Sequence, residues 1–209
     1  MSGLMLPPLY AVLDPEQTGG RDAATVLRQL LDGGAKMVQL RAKSLTPRDF
    51  LELARSARSL TKSSGCRLII NDRADIALAC DADGVHLGQE DLPLHAARKI
   101  IGAKMIGIST HDIEQAIEAE RAGADYIGFG PLFGTATKAT GYGARGVEML
   151  RQIRAAVKLP IVAIGGIKEE NVQEVWRAGA DSAAIISDIL GAADVTAKTK
   201  RILALHPTR

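Results

Sequence analysis

The sequence predicts an α/β protein that folds as a single-domain (β/α)8 TIM barrel over residues 1–209. Eight short apolar runs alternate with longer segments whose apolar residues recur with helical periodicity. The short runs are mostly continuous stretches of apolar residues, which is typical of parallel strands buried on both faces. Each strand and helix unit takes about 26 residues, near the compact limit for a barrel, whereas a doubly wound sheet usually has fewer strands.

The predicted strands are, in order, LYAVL, MVQL, RLII, GVHL, MIGI, YIGF, IVAI and AAII. The clearest helical segments between them are DAATVLRQLLDGG, PRDFLELARSARSLTKS, HDIEQAIEAERAGA and EENVQEVWRAGA, all rich in good helix formers. A weak repeat joins helix to strand in GGAKMVQL, DADGVHL, AGADYIGF and AGADSAAI. A glycine in each copy predicts a left-handed helix end followed at once by a strand.

Composition narrows the class of protein. The chain has 26 basic and 24 acidic side chains without a basic tail, which argues against a nucleic-acid partner. Cys66 and Cys80 are too few for a zinc cluster and are expected in the core.

The N-terminal segment has no charged start, and Pro7 and Pro8 interrupt its apolar run, unlike a signal peptide. No apolar run is long enough for a bilayer, so a cytoplasmic protein without a membrane partner is expected.

Polar residues follow the strands at the end where barrels carry their sites. They are Gln39, Arg41 and Lys43, Asn71 and Asp72, His86 before GQED, Ser109, Thr110 and His111, Gly165 and Gly166, and Ser187. Residues two apart in an extended segment share a face, so Gln39, Arg41 and Lys43 are predicted to point into the barrel mouth. The alternative is a solvated charge pair at a strand end. His86 and His111 are either hydrogen-bonded at the edge of the core or in contact with substrate.

A phosphate site is predicted after the seventh and eighth strands. Gly165, Gly166 and Ser187 occupy the places where barrels bind phosphate through backbone N–H groups, although a plain turn would also explain the glycines. The segment GPLFGTATKATGYG follows the sixth strand. Its Thr135 and Thr137 hydroxyls can donate hydrogen bonds to phosphoryl oxygens, which strengthens the phosphate interpretation.

A magnesium site is predicted from Asp72 and Asp91, which follow neighbouring strands and provide the oxygen ligands that Mg²⁺ prefers. Arg41, Lys43 and Lys138 would place positive charge around a diphosphate at the same rim. The alternative is that the two aspartates cap the helices beginning near residues 73 and 92.

The strings QLRAK, NDRADIALACDADGVHLGQED, GISTHD, GFGPLFGTATK, VAIGGI and AIIS, in this order, closely resemble the thiamine phosphate synthase family. They span the chain from the second strand to the eighth. The resemblance implies a barrel enzyme that joins 4-amino-2-methyl-5-(diphosphooxymethyl)pyrimidine to a thiazole phosphate, releasing diphosphate, and carbon dioxide when the thiazole is carboxylated. It also implies a dissociative substitution, in which a pyrimidine-methylene cation is captured by the thiazole nitrogen.

The resemblance also assigns roles to residues. By similarity, the contacts to the pyrimidine diphosphate are Gln39, Arg41, Lys43, Asn71 and Lys138; the Mg²⁺ ligands are Asp72 and Asp91; and the thiazole phosphate cradle is Thr135, Ala136, Thr137, Gly166, Ile186 and Ser187. Ser109 resembles the group beside the pyrimidine. Arg41, Lys43, Lys138 and Ser109 are expected to take part in catalysis. Phe133 and Gly134 depart from the family, which often has proline in this loop.

Two other functions compete with this prediction. A thiazole tautomerase relative looks similar after the second strand and around Ser109, Thr110 and His111, but it lacks the Asn-Asp pair, the HLGQED string and the Thr-x-Thr-Lys loop present here. A noncatalytic phosphate-binding barrel would bind the same ligands without turnover.

Overall fold

The computed structural model describes residues 4–134 and 143–207 and contains eight parallel strands closed into a barrel in chain order. The strands are β1 Leu9–Leu13, β2 Met37–Leu40, β3 Arg67–Asn71, β4 Gly84–Leu87, β5 Met105–Thr110, β6 Tyr126–Phe129, β7 Ile161–Ile164 and β8 Ser182–Ile185. The predicted (β/α)8 barrel is confirmed.

Helices follow the strands around the outside of the barrel. They are α1 Ala23–Asp32, α2 Pro47–Ser63, α3 Ala74–Ala79, α4 Leu94–Ile101, α5 Ile113–Arg121, α6 Gly146–Ala156, α7 Val172–Arg177, α8 Ser187–Leu190 and α9 Val195–Ala204, with a short 3₁₀ helix at Pro15–Gln17. Within residues 4–134 and 143–207, none of the helices combines the length and apolar character needed to cross a bilayer.

The strand boundaries differ from the prediction at three places. β3 continues to Asn71 and β5 continues to Thr110, so polar residues predicted to follow these strands are their last members. β8 begins at Ser182 and ends one residue before the predicted AAII run does. Ile186 is the N-cap residue of the helix that begins at Ser187, and its φ of −115° and ψ of −86° are not those of a strand.

The side chains of each strand alternate between two apolar layers. One set packs between the sheet and the helices, and the other fills the barrel. The inner layer consists of Tyr10, Val12, Met37, Ile69, Tyr126, Val162 and Ala184. Leu4 and Leu6, which precede β1, pack against this layer from the N-terminal end of the barrel. The opposite end is therefore the one open to a ligand.

The left-handed glycine predicted at each repeated helix-to-strand corner is confirmed at three of the four copies. Gly34, Gly123 and Gly179 have positive φ, as the repeat predicts. In the second copy, however, the left-handed residue is Asp81, with φ 55°. Gly84 lies in β4 instead, where a Cβ atom would come within 2.4 Å of the β5 backbone. The glycine of that copy therefore serves strand packing, not the end of a helix.

The same repeat places an aspartate at the start of three even-numbered strands. Each carboxylate accepts one hydrogen bond from a backbone N–H of the preceding strand and another from an arginine of a flanking helix. The three sets are Asp83 with Leu68 and Arg58, Asp125 with Ile106 and Arg98, and Asp181 with Ile161 and Arg154, at N···O distances of 2.7 to 3.1 Å. These contacts tie helices to strand pairs at the closed end of the barrel.

Replacing Asp125 with Ala is expected to lower the free energy of unfolding by about 1–3 kcal/mol, because the buried N–H of Ile106 loses its side-chain acceptor. Asp125→Asn, which keeps an acceptor oxygen, should lose less. Urea unfolding of both variants measures this difference. Asp32→Ala changes an exposed carboxylate at the end of α1 and serves as the control. Equal stability of Asp125→Ala and Asp32→Ala would contradict the expectation.

Candidate active site

A cavity of about 450 Å³ opens at the C-terminal end of the barrel. Its lining includes eight of the predicted site residues, namely Gln39, Arg41, Asn71, Asp72, Ser109, Gly166, Ile186 and Ser187. These residues come from loops and ends of five different strands. The barrel thus converges them on one space, as the strand-end rule predicted.

Asp72 and Asp91 lie against each other at one edge of the cavity. Asp72 has φ 63°, and its N–H donates to the carbonyl of His86 in β4 at 2.8 Å. The Asp91 carboxylate accepts from the N–H of Gly88 at 2.6 Å. Burial and, after it, the adjacent Asp72 carboxylate raise the pKa of Asp91, while the Gly88 N–H and the Lys43 charge act in the opposite direction.

The alternative that these aspartates cap helices is wrong. The N-cap residue is Arg73 for α3 and Pro93 for α4, and neither of these residues makes a side-chain capping hydrogen bond. Asp72 and Asp91 instead bring two negative groups together, an arrangement that a cation would stabilise.

The donor set at this edge fits Mg²⁺. Both groups are carboxylates, the ligand type that Mg²⁺ prefers, and a pair of them leaves other coordination positions for water and substrate phosphates. Within the described ranges, no group of three or more His, Cys, Asp and Glu side chains is arranged to hold a metal. Lys43 Nζ lies 3.1 Å from Asp72 and supplies part of the positive charge that the pair requires.

Gln39 in β2 and the two alternating residues after it, Arg41 and Lys43, do not share one face, which corrects the prediction for Lys43. Gln39 and Arg41 line the cavity, but Lys43 lines a smaller recess of about 120 Å³ beside Asp72 and is half exposed. Strand geometry ends at Leu40, so the two-residue alternation does not extend to Lys43. The Arg41 guanidinium is held in place by an ion pair with the buried carboxylate of Asp14.

The opposite edge of the cavity is a glycine turn after β7. Gly165 and Gly166 have φ 99° and 65°. A Cβ atom on Gly165 would lie 2.5 Å from Pro131, and one on Gly166 would lie 2.7 Å from Phe133. Only glycine fits here, because the loop after β6 packs directly on this turn.

Charged side chains outside the cavity hold this turn against α8. The N–H of Glu169 donates to the Asp188 carboxylate at 2.8 Å. Lys198 in α9 bridges the carboxylates of Glu169 and Asp188, each at 2.9 Å. This network fixes the separation between Gly166 and Ser187, the two phosphate-site residues predicted on either side of it.

The cavity floor is polar, which the sequence prediction missed. The hydroxyls of Tyr10 and Tyr126 lie 2.9 Å apart inside the barrel, and Gln39 Nε2 donates to Tyr10 at 3.0 Å. His86 is 3.3 Å from the Tyr126 hydroxyl and 2.9 Å from Ser109 Oγ. A tyrosine at an inward-facing position of an otherwise aliphatic strand is the sequence feature that could have predicted this polar floor.

The sequence did not decide whether His86 and His111 contact substrate or are hydrogen-bonded at the edge of the core. Both line the cavity, and both are hydrogen-bonded. His86 bonds Tyr126 and Ser109 through its two ring nitrogens, and His111 Nδ1 lies 2.6 Å from the carbonyl oxygen of Gly130. The cavity also contains Lys168, just after the glycine turn, which the sequence prediction did not include.

Four predicted residues lie outside the described residues: Thr135, Ala136, Thr137 and Lys138. Their places in the phosphate cradle and beside the diphosphate stay predictions. The described part of the same loop ends at Gly134, which lines the cavity.

The fold and site define a (β/α)8-barrel enzyme whose mouth combines a carboxylate pair with a glycine turn after the seventh strand. The family model described as thiamine monophosphate synthase matches residues 9–189. This chain therefore belongs to the thiamine monophosphate synthase family, enzymes of thiamine biosynthesis, and the predicted family is confirmed.

Individual relatives agree with this assignment. The chain is 47% identical over 197 residues to a thiamine-phosphate synthase of Chloroflexus aurantiacus, which covers 94% of this chain and 91% of the relative. It is 48% identical over 195 residues to that of Moorella thermoacetica, covering 93% of each. The structure of a thiamine phosphate pyrophosphorylase from Pyrococcus furiosus matches with a TM-score of 0.88 and 38% identity, over 95% of this chain and 94% of that one.

Proposed function

We propose that this chain couples 4-amino-2-methyl-5-(diphosphooxymethyl)pyrimidine with a thiazole phosphate, carboxylated or plain, to give thiamine monophosphate and diphosphate. The observation that carries the proposal is the pairing, across one cavity, of a carboxylate edge that suits a cation with a glycine edge that suits an anion. The Asp72 and Asp91 edge suits a diphosphate with a divalent cation, and the Gly165 and Gly166 edge suits a single phosphate. The space between them suits two aromatic rings.

The diphosphate edge favours departure of the leaving group. Arg41 lines the same cavity as Asp72, Lys43 forms an ion pair with Asp72, and Asn71 adds an amide beside it. Mg²⁺ held by Asp72 and Asp91 would supply further positive charge to the departing diphosphate. Lys138 is proposed as a third cation at this edge. Preorganised charges of this kind stabilise a dissociative substitution without a strong base.

The thiazole phosphate is proposed to bind at the other edge. The Gly166 backbone and the Ser187 hydroxyl supply donors there, Ile186 adds an apolar contact, and Thr135, Ala136 and Thr137 complete the cradle. The network of Glu169, Asp188 and Lys198 keeps the two described parts of this cradle together. The thiazole nitrogen would then face the methylene carbon of the pyrimidine.

A coupling assay tests the proposal. The purified chain is incubated with both phosphorylated substrates, with Mg²⁺ or with a chelator, and thiamine monophosphate and diphosphate are measured. Equal amounts of the two products, formed only with Mg²⁺, are expected. Isomerisation of the thiazole without coupling would favour the tautomerase alternative, and saturable binding without product would favour the noncatalytic barrel.

A further inference from the structure

Five side chains form a continuous hydrogen-bonded chain across the cavity floor, which begins in β2 and ends in β5. In order they are Gln39, Tyr10, Tyr126, His86 and Ser109. Gln39 and Ser109 are the two members that the resemblance to the family predicts beside the pyrimidine substrate. The three between them lie deeper and hold those two in place.

The direction of hydrogen bonding is fixed at the Gln39 end. The side-chain amide nitrogen of Gln39 can only donate, so the Tyr10 oxygen accepts from it. Among the described residues, the other group bonded to the Tyr10 hydroxyl is Tyr126. Tyr10 is 1% exposed, so leaving its proton without an acceptor would be costly. Tyr10 therefore donates to Tyr126.

The same direction continues through the histidine. Burial, the largest cause in both cases, raises the pKa of Tyr10 and of Tyr126, so both phenols keep their protons. The Tyr126 oxygen accepts from Tyr10, and its own proton goes to His86 Nδ1. A neutral imidazole whose Nδ1 accepts carries its proton on Nε2. His86 Nε2 then donates to Ser109 Oγ at 2.9 Å.

We propose that Tyr10, Tyr126 and His86 are positioning residues that make Ser109 a hydrogen-bond donor to substrate. Because the Ser109 oxygen accepts from His86, its own proton is directed to the cavity, where it suits an acceptor nitrogen of an aromatic ring. Gln39 donates one side-chain amide N–H to the Tyr10 hydroxyl, and its amide oxygen is left to accept a hydrogen bond from an exocyclic amine. The pair selects an aminopyrimidine ring, an inference that rests on the proposed function.

Two glycines fit the rings of this chain of hydrogen bonds. A Cβ atom on Gly107 would lie 2.1 Å from the Tyr126 ring, and one on Gly128 would lie 2.8 Å from the His86 ring. The two rings lie against each other with centroids 5.6 Å apart. The strands thus make room for both rings at the positions where they bond each other.

The tautomer of His86 tests the proposal without any substrate. Nitrogen-15 NMR of the full chain at a pH of about 8, where an ordinary imidazole is neutral, distinguishes the two tautomers. The signal is assigned by its loss in His86→Asn. A single Nε2–H tautomer is expected in the parent protein, and both Tyr10→Phe and Tyr126→Phe should shift it toward a mixture. An Nδ1–H tautomer in the parent protein, or no change in either variant, would overturn the proposal.

Kinetics test the consequence for substrate. Tyr126→Phe is expected to lower kcat/KM for the pyrimidine diphosphate about tenfold and to leave KM for the thiazole phosphate unchanged, the effect of one weakened hydrogen bond. Thr61→Val, which removes a buried hydroxyl in α2, is the matched control and should change neither value. A parallel rise in both KM values would indicate general loosening of the barrel and contradict a positioning role.

A pyrimidine analogue in which C–H replaces the acceptor nitrogen completes the test. It should bind the parent protein at least tenfold more weakly than the unmodified pyrimidine, and Ser109→Ala should abolish that preference. Equal binding of the two compounds to the parent protein would overturn the assignment of Ser109 as donor. If coupling fails altogether, the proposed function is wrong, whereas the NMR experiment still decides the direction of hydrogen bonding by itself.

Discussion

Asp72→Asn is expected to reduce magnesium-dependent coupling by a hundredfold or more. Asparagine has nearly the shape of aspartate but lacks the charge that pairs with the cation, and removing one such electrostatic contact typically costs a few kcal/mol of transition-state stabilisation. Asp91→Asn should have a similar effect while keeping an oxygen to accept from Gly88. The coupling rate as a function of Mg²⁺ concentration measures both.

A second measurement separates the electrostatic cause from misfolding. The Asp72 carboxylate contributes to the raised pKa of Asp91, so Asp72→Asn should lower the pKa of Asp91. The pKa should stay above its usual range, because burial is the larger cause. Carbon-13 NMR of the Asp91 carboxyl in magnesium-free buffer follows this titration. Asp75→Asn, on the exposed side of α3, is the control. Parent-like coupling by Asp72→Asn would contradict the proposed magnesium site.

Arg41→Met is expected to damage both stability and coupling. Its partner Asp14 is 1% exposed, so removal of the guanidinium leaves a buried carboxylate without its cation. Breaking a buried ion pair in this way typically costs about 3–5 kcal/mol of folding free energy. Loss of a cation beside the diphosphate should also lower kcat/KM by at least a hundredfold. Urea unfolding and steady-state kinetics measure the two effects.

The double variant Arg41→Met with Asp14→Asn separates the two effects. The asparagine side chain is neutral and can still accept from the Glu16 N–H that begins the 3₁₀ helix, so most of the lost stability should return. Coupling should not return, because the cation is still missing. Asp14→Asn alone provides the reference. Recovery of coupling in the double variant would show that Arg41 acts through folding and not on the diphosphate.

The comparison between sequence and structure is clearest at β2. Periodicity predicted the strand and the inward position of Gln39, since both depend on the two-residue repeat of an extended chain. The same repeat was wrong for Lys43, because β2 ends at Leu40 and the chain then turns. Local patterns hold only as far as the local geometry that produces them.

The sequence by itself determined the (β/α)8 barrel and the rim that carries the site. Both follow from short-range features: apolar runs of strand length, helical periodicity between them, and polar residues at strand ends. The tertiary structure alone decided that Asp14 anchors Arg41, and that Tyr10, Tyr126 and His86 connect Gln39 to Ser109. These contacts join residues far apart in the chain, so they depend on the register and closure of the whole barrel, which no local pattern specifies.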